Sequence, residues 1–264
     1  MTTCSDYADR EKRAVMTECI MDDGIRLNIK LDMPKDFTGK CPLVIVIHGF
    51  TGHMEERHIT AVSSMLNEIG CASLRVDMYG HGSSGGEFRN HTLFKWITNA
   101  LTVIDYARSL DFVSDLFLLG HSQGGLTVML AGALKKDDIR GIIPMSPAIV
   151  IPECARNGNV LGVAFDPDQV PEEIHSPDGW ILSGNYIRVA QMIHVEDAID
   201  RYSGPVLLVH GDADETIPLQ CSEEAAERYR NAVLKVIQGD THCYDHHLEE
   251  AVGVVRTWME EQLR

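Results

Sequence analysis

No uncharged apolar run in the 264-residue chain is long enough to cross a bilayer, which excludes a helical membrane span. The first ten residues, Met1-Thr-Thr-Cys-Ser-Asp-Tyr-Ala-Asp-Arg10, hold no apolar segment of the kind a secretory leader carries, so a cytoplasmic location is expected. Basic residues are scarce. The 23 Lys and Arg against 39 Asp and Glu leave a net charge of −16, which argues against nucleic acid or an anionic membrane as partner and in favour of simple solubility. Seven cysteines, an odd number without paired spacing, suit reduced thiols better than a disulfide framework. No repeat, low-complexity tract or Pro/Gly/Ser linker divides the chain, so residues 1–264 are expected to form one domain.

What is present is an alternation of buried strands and amphipathic helices. Leu43-Val-Ile-Val-Ile47, Ala72 to Val76, Leu116 to Leu119, Gly141 to Met145, Pro205 to Val209 and Val233 to Ile237 are short apolar runs, the mark of strands covered on both faces. Between them Ile59, Val62, Leu66 and Ile69, and then Leu93, Ile97, Leu101, Ile104 and Leu110, recur at helical spacing. The alternation predicts an α/β fold with a doubly wound, mostly parallel sheet. Arg13 to Asp32, around the turn Asp22-Asp-Gly24, reads as an antiparallel hairpin. From Ala148 to Gly204 the rhythm breaks, with prolines at 152, 167, 171 and 177 and no clear buried strand. Residues 148–204 are therefore expected to be an inserted lid over the carboxyl edge of the sheet, where open α/β folds place their ligands.

One stretch joins strand to helix without a linker: Leu116-Phe-Leu-Leu-Gly120-His-Ser122-Gln-Gly124-Gly125-Leu-Thr-Val-Met-Leu130. Its G-x-S-x-G is a nucleophile elbow, in which a sharp turn frees a serine hydroxyl and small residues let strand and helix backbones nearly touch. A second match, Gly82-Ser-Ser84-Gly-Gly86, leads into polar Glu87-Phe-Arg-Asn-His91, so Ser84 is read as a loop serine. In such an elbow fold the acid and the base follow the serine in chain order, each after a strand. His242 alone follows the last apolar run in a Gly-containing loop and is the expected general base, while His246 and His247 are assigned to the final helix. Asp212 and Asp214 both follow the strand ending at His210, and chemistry leaves both open. The usual loop of Gly, two residues and then the acid selects Asp214.

Oxyanion donors are expected from the backbone N–H groups of Gln123, after the nucleophile, and of Phe50 in His48-Gly-Phe50. His48 itself is read as bracing that loop. His242 and His246 share the i,i+4 spacing of helical zinc sites, but no H-E-x-x-H occurs, and Gly80 to Gly86 lacks the lysine of a phosphate loop. No metal and no cofactor are expected.

His48-Gly-Phe-Thr-Gly52, Asp77-Met-Tyr-Gly-His-Gly-Ser-Ser-Gly85, Gly120-His-Ser-Gln-Gly-Gly125, His210-Gly-Asp-Ala-Asp214 and Gly239-Asp-Thr-His-Cys243 together resemble the bacterial cinnamoyl (feruloyl) esterases of the α/β-hydrolase superfamily. The resemblance runs over most of the chain and includes Phe165-Asp-Pro-Asp-Gln-Val-Pro171 and Asn185-Tyr-Ile-Arg-Val-Ala-Gln191 in the insertion. It implies an α/β-hydrolase fold and cofactor-free hydrolysis of small-molecule hydroxycinnamate esters (ferulate, p-coumarate, caffeate) through an acyl-enzyme on Ser122. It also implies a homodimer, and Tyr186 as a substrate contact in the insertion. Cys154 and Leu161 stand where relatives carry polar groups, which leaves a broader carboxylesterase, lipase-like or peptidase-like range open. A catalytically inactive binding protein is the remaining alternative, against which Ser122, Asp214 and His242 all stand intact.

Overall fold

A computed structural model describes residues 15–35 and 37–264; the leader reading at residues 1–10 and the start of the hairpin at Arg13 lie outside them. Eight strands form one sheet: β1 (Val15–Asp22), β2 (Ile25–Asp32), β3 (Cys41–Ile47), β4 (Ala72–Val76), β5 (Val113–His121), β6 (Gly141–Met145), β11 (Val206–Gly211) and β12 (Ala232–Ile237). Their spatial order is β1-β2-β4-β3-β5-β6-β11-β12. β1 pairs with β2, and β2 with β4, antiparallel; every other neighbour pair is parallel. Parallel neighbours need crossovers, and the helices between strands supply them on both faces.

Alternate residues of one strand serve opposite layers. Leu43, Ile45 and Ile47 of β3, with Leu116 and Leu118 of β5, enter a core shared with the helices Leu93–Arg108 and Gln123–Leu134. Val44 and Val46, with Phe117 and Leu119, enter a second core shared with the helices Arg57–Glu68 and Leu248–Gln262. The apolar runs of the sequence are continuous because both faces of these strands are covered.

The Leu93–Arg108 helix buries Leu93, Trp96, Ala100, Val103, Ile104 and Ala107. That face is rotated from the expected one: Ile97 and Leu101 are half-buried, and Leu110 lies beyond the helix. Trp96 takes the central position because the largest apolar ring gains most from burial.

Residues 148–204 contain three helices, Ile151–Arg156, Gly184–Gln191 and Val195–Arg201. Two small ribbons lie among them, β7 (Asn159–Val160) with β8 (Val163–Ala164), and β9 (Glu173–His175) with β10 (Ile181–Ser183). Strands of two or three residues leave no periodic signature, which is why the sequence shows none. Ile151, Ala155, Ile174, Leu182, Tyr186 and Ala190 from this stretch are buried in the first core. No helix among the described residues is long and apolar enough to cross a membrane.

Candidate active site

Ser122 is the single residue between β5 and the Gln123–Leu134 helix, and it stands at φ 56°, ψ −119°. A non-glycine residue in that region is strained by about 1–3 kcal/mol. The turn persists because its neighbours have no side chains. A Cβ on Gly120 would meet the Gly124 carbonyl oxygen at 2.2 Å, and one on Gly124 would meet the carbonyl oxygens of Ile47 and His48 at 2.4 Å. The helix, β5 and the neighbouring β3 thus approach backbone to backbone, and Ser122 stands at the carboxyl edge of the sheet.

His242 lies in the turn after β12. Its Nε2 is 2.9 Å from the Ser122 Oγ, and its Nδ1 is 2.7 Å from Asp214 Oδ2. Asp214 follows β11, and its other oxygen accepts the backbone N–H groups of Thr216 and Ile217 at 2.8 Å each. His210, in β11 and fully buried, brings its Nε2 to 3.1 Å from Oδ2. Burial alone would raise the Asp214 carboxyl, but the hydrogen bonds from His210 and His242 outweigh it and hold the group well below the usual carboxylate range. A carboxylate fixed on Nδ1 leaves Nε2 free to accept the serine proton.

The two competing readings of the acid separate here. Asp212 does not reach the imidazole; its Oδ1 accepts the Gly239 N–H at 2.5 Å and ties the β11 loop to the β12 loop. Ser84 is likewise occupied in its own loop, accepting from the Asn28 N–H at 2.7 Å and donating to the Asp77 carbonyl. His246 and His247 precede the last helix, contrary to their assignment to it. Their backbone N–H groups are taken by the two oxygens of buried Asp240, at 3.0 and 3.1 Å, so the chain turns before the helix begins at Leu248. His242 and His246 therefore do not share a helix face, and no metal-binding cluster of His, Cys, Asp and Glu occurs among the described residues.

Gln123 is the first residue of its helix, so its N–H has no intrahelical acceptor. The carbonyl of the same peptide, Ser122 O, accepts from Leu126 N at 3.1 Å and Ala148 N at 2.9 Å. Those bonds hold the peptide plane and the direction of the Gln123 N–H. Phe50 sits in the turn after β3, and a Cβ on Gly49 would lie 3.2 Å from the Ser122 Cβ, so this loop runs directly beside Ser122.

The side chain of Phe50 opens an aromatic cluster. Its ring lies 5.3 Å from Phe88, 5.3 Å from His91, 5.4 Å from Trp180 and 5.9 Å from Tyr186, mostly edge to face. Tyr186 is fully buried, and its hydroxyl donates to Gln123 Oε1 at 2.6 Å. The residue expected to touch substrate is thus bonded to the residue that follows Ser122. Cys154 lies on the Ile151–Arg156 helix and Leu161 in the tight β7–β8 turn, both half-buried.

Sequence reasoning missed the residues that hold these groups in place. His121 Nε2 donates to the His242 carbonyl at 2.8 Å, and the Tyr244 hydroxyl donates to Val209 O at 3.0 Å beneath the same turn. Each bond joins positions far apart in the chain, and no local pattern encodes it.

A family model described as a serine aminopeptidase, S33, matches residues 39–165. Palmitoyl-protein thioesterase ABHD10, mitochondrial, from Mus musculus is 26% identical over 83% of this chain and 74% of that protein. Monoacylglycerol lipase from Mycolicibacterium smegmatis is 26% identical over 84% and 89%. Among solved structures, Est1E from Butyrivibrio proteoclasticus with ferulic acid bound is 58% identical, covers 93% of this chain and 99% of its own, and superposes with a TM-score of 0.92. On that similarity the chain belongs, with Est1E, to the bacterial feruloyl esterase family of α/β hydrolases.

Proposed function

We propose that the protein is a serine carboxylesterase that hydrolyses hydroxycinnamate esters through an acyl-enzyme intermediate. The observation that carries the reading is the unbroken relay from Asp214 through His242 to Ser122, ending beside an aromatic wall at Phe50. Est1E, which shares 58% of its residues with this chain, holds ferulic acid.

In this reading Ser122 Oγ attacks the ester carbonyl carbon while His242 Nε2 takes its proton, and the Asp214 carboxylate stabilises the imidazolium that results. The carbonyl oxygen becomes an oxyanion and is met by the backbone N–H groups of Phe50 and Gln123, whose orientation costs no reorganisation as charge develops. Collapse breaks the ester C–O bond, and His242 returns the proton to the leaving alkoxide. Water, deprotonated by the same imidazole, then releases the acid and regenerates Ser122. No cofactor enters any step.

The planar aryl end of a cinnamoyl group suits the rings of Phe50, Phe88 and Trp180, which can contact it edge to face. In this reading residues 148–204 form a lid over that aromatic wall, against which their Trp180 and Tyr186 pack, and Tyr186 takes part in substrate binding through Gln123 and Phe50. Cys154 and Leu161 present no charge or strong hydrogen-bond donor, so ring hydroxyls count for less than ring shape. The reading extends to a cytoplasmic enzyme assembled as a homodimer, which light scattering of the purified protein tests.

The decisive experiment is a substrate panel. Methyl ferulate, methyl p-coumarate and methyl caffeate are expected to exceed p-nitrophenyl butyrate in kcat/KM, and peptide amides are expected to be inert. A preference for the aliphatic ester would support the broader carboxylesterase reading, and amide cleavage the peptidase one suggested by the name of the matching family model.

A further inference from the structure

The Gly49–Phe50 peptide carries one of the two N–H groups assigned to the oxyanion, and a side chain without a catalytic role holds its opposite end. In a trans peptide the C=O and N–H point in opposite directions from one rigid plane, so fixing one fixes the other. His48 Nδ1 lies 2.7 Å from the Gly49 carbonyl oxygen, and the Met78 backbone N–H donates to His48 Nε2 at 3.0 Å. An N–H can only donate, so Nε2 presents its lone pair and the ring proton sits on Nδ1, where it serves the Gly49 carbonyl.

Nothing around the ring lets it turn. His48 is fully buried, edge to face with Trp96 at 5.2 Å and tilted against His81 at 5.2 Å. Burial, reinforced by His81, pushes the imidazole down to about 3, which keeps it in the one neutral tautomer. His81 stands with Nε2 against the next carbonyl, that of Phe50, and with Nδ1 against that of Tyr79, and as a neutral ring it donates to one of the two.

We infer that His48 is a positioning residue that presets the oxyanion hole, holding the Gly49–Phe50 peptide so that its N–H faces the Ser122 side. Were the peptide to flip, a carbonyl oxygen would stand where negative charge forms. The inference rests on the proposed esterase reading, in which the Phe50 N–H is a donor to the oxyanion.

The test compares His48→Phe, which fills the space without a donor, with His48→Asn, whose amide N–H can occupy the place of Nδ1–H. His48→Phe is expected to lose about 10²–10³-fold in kcat on methyl ferulate, the scale of one oxyanion donor, with KM within about threefold of wild type. Affinity for 2-phenylvinylboronic acid, whose adduct with Ser122 is tetrahedral and anionic, should fall with kcat, while affinity for ferulate itself stays unchanged. His48→Asn is expected to recover about tenfold or more of the lost kcat. Near-normal kcat in His48→Phe, or equal losses for boronate and ferulate, would overturn the inference. Should the variants not fold, ring-nitrogen NMR of the wild-type protein decides: a proton on Nδ1 of His48 is expected, and one on Nε2 overturns it. Failure of the esterase reading is distinguishable, because wild-type protein would then leave methyl ferulate intact whatever stands at position 48.

Discussion

His121 Nε2 donates a 2.8 Å hydrogen bond to the backbone carbonyl of His242, so the neighbour of Ser122 grips the main chain of the residue whose ring faces the Ser122 hydroxyl. The two rings also pack, with centroids 4.8 Å apart. Burial, then the nearby His58 and His242, hold His121 well below the usual histidine range, so it stays neutral and keeps its proton on Nε2. Replacing His121 by Leu should leave a buried carbonyl unpaired, cost about 1–3 kcal/mol of stability and reduce kcat. His121→Gln, which can carry an N–H to the same place, should retain more of both. Equal melting temperatures and equal kcat for His121→Leu and wild type would contradict this role.

Asp214 and Asp212 lie two residues apart and should respond to the same substitution to very different degrees. Asp214→Asn can offer an N–H to the imidazole and so favour the wrong tautomer; kcat should fall by about 10⁴-fold. Asp212→Asn should change kcat by no more than a few-fold, since its oxygen only holds the Gly239 N–H. Steady-state kinetics on methyl ferulate would expose a reversed ranking.

Acid should destabilise the fold before it protonates Asp214. Burial pushes His48 and His91 down to about 3 and His58 to about 4, from an ordinary value of 6.5. A histidine with a depressed native pKa binds fewer protons folded than unfolded. Its contribution is therefore fully present above about pH 6.5 and is lost as pH falls toward 4, at up to about 1.4 kcal/mol per pH unit for each ring. The Asp214 carboxylate, depressed in its turn, adds a loss only below its unfolded pKa of about 3.9. Urea midpoints should hold from about pH 7.5 to about 6.5 and fall from there to about pH 4.5, and His58→Phe should flatten the fall. A midpoint constant down to pH 4.5 would contradict the buried neutral rings.

Two glycines make opposite predictions for the same change. Gly124→Ala would drive a methyl group into the carbonyl oxygens of Ile47 and His48, 2.4 Å away, and should abolish folding or activity. Gly253→Ala, inside the last helix with nothing within 4 Å, should raise stability by about 0.4–1 kcal/mol. Thermal melts of the two variants compare them directly; a stable, active Gly124→Ala protein would refute the close approach at the elbow.

The parts of the fold that could be read in advance are those whose physics is local. Residues 43–47 of β3, 116–119 of β5 and 206–209 of β11 are apolar at every position because both faces are covered, and the Gly120 and Gly124 spacing reflects one steric requirement at one turn. The Leu93–Arg108 helix was legible as a helix but not in its phase, since the position of Trp96 depends on what it packs against. His246 and His247 leave the final helix because Asp240 captures their N–H groups, and neither residue type signals that. The bonds from Tyr186 to Gln123 and from His121 to His242 span 63 and 121 positions and belong to tertiary structure alone.

The most direct test of the relay is to treat the protein with a fluorophosphonate and map the adduct by peptide mass spectrometry. A single adduct on Ser122, lost together with methyl ferulate hydrolysis in Ser122→Ala, is the expected result. An adduct on Ser84 or elsewhere, or hydrolysis that survives in Ser122→Ala, would contradict it.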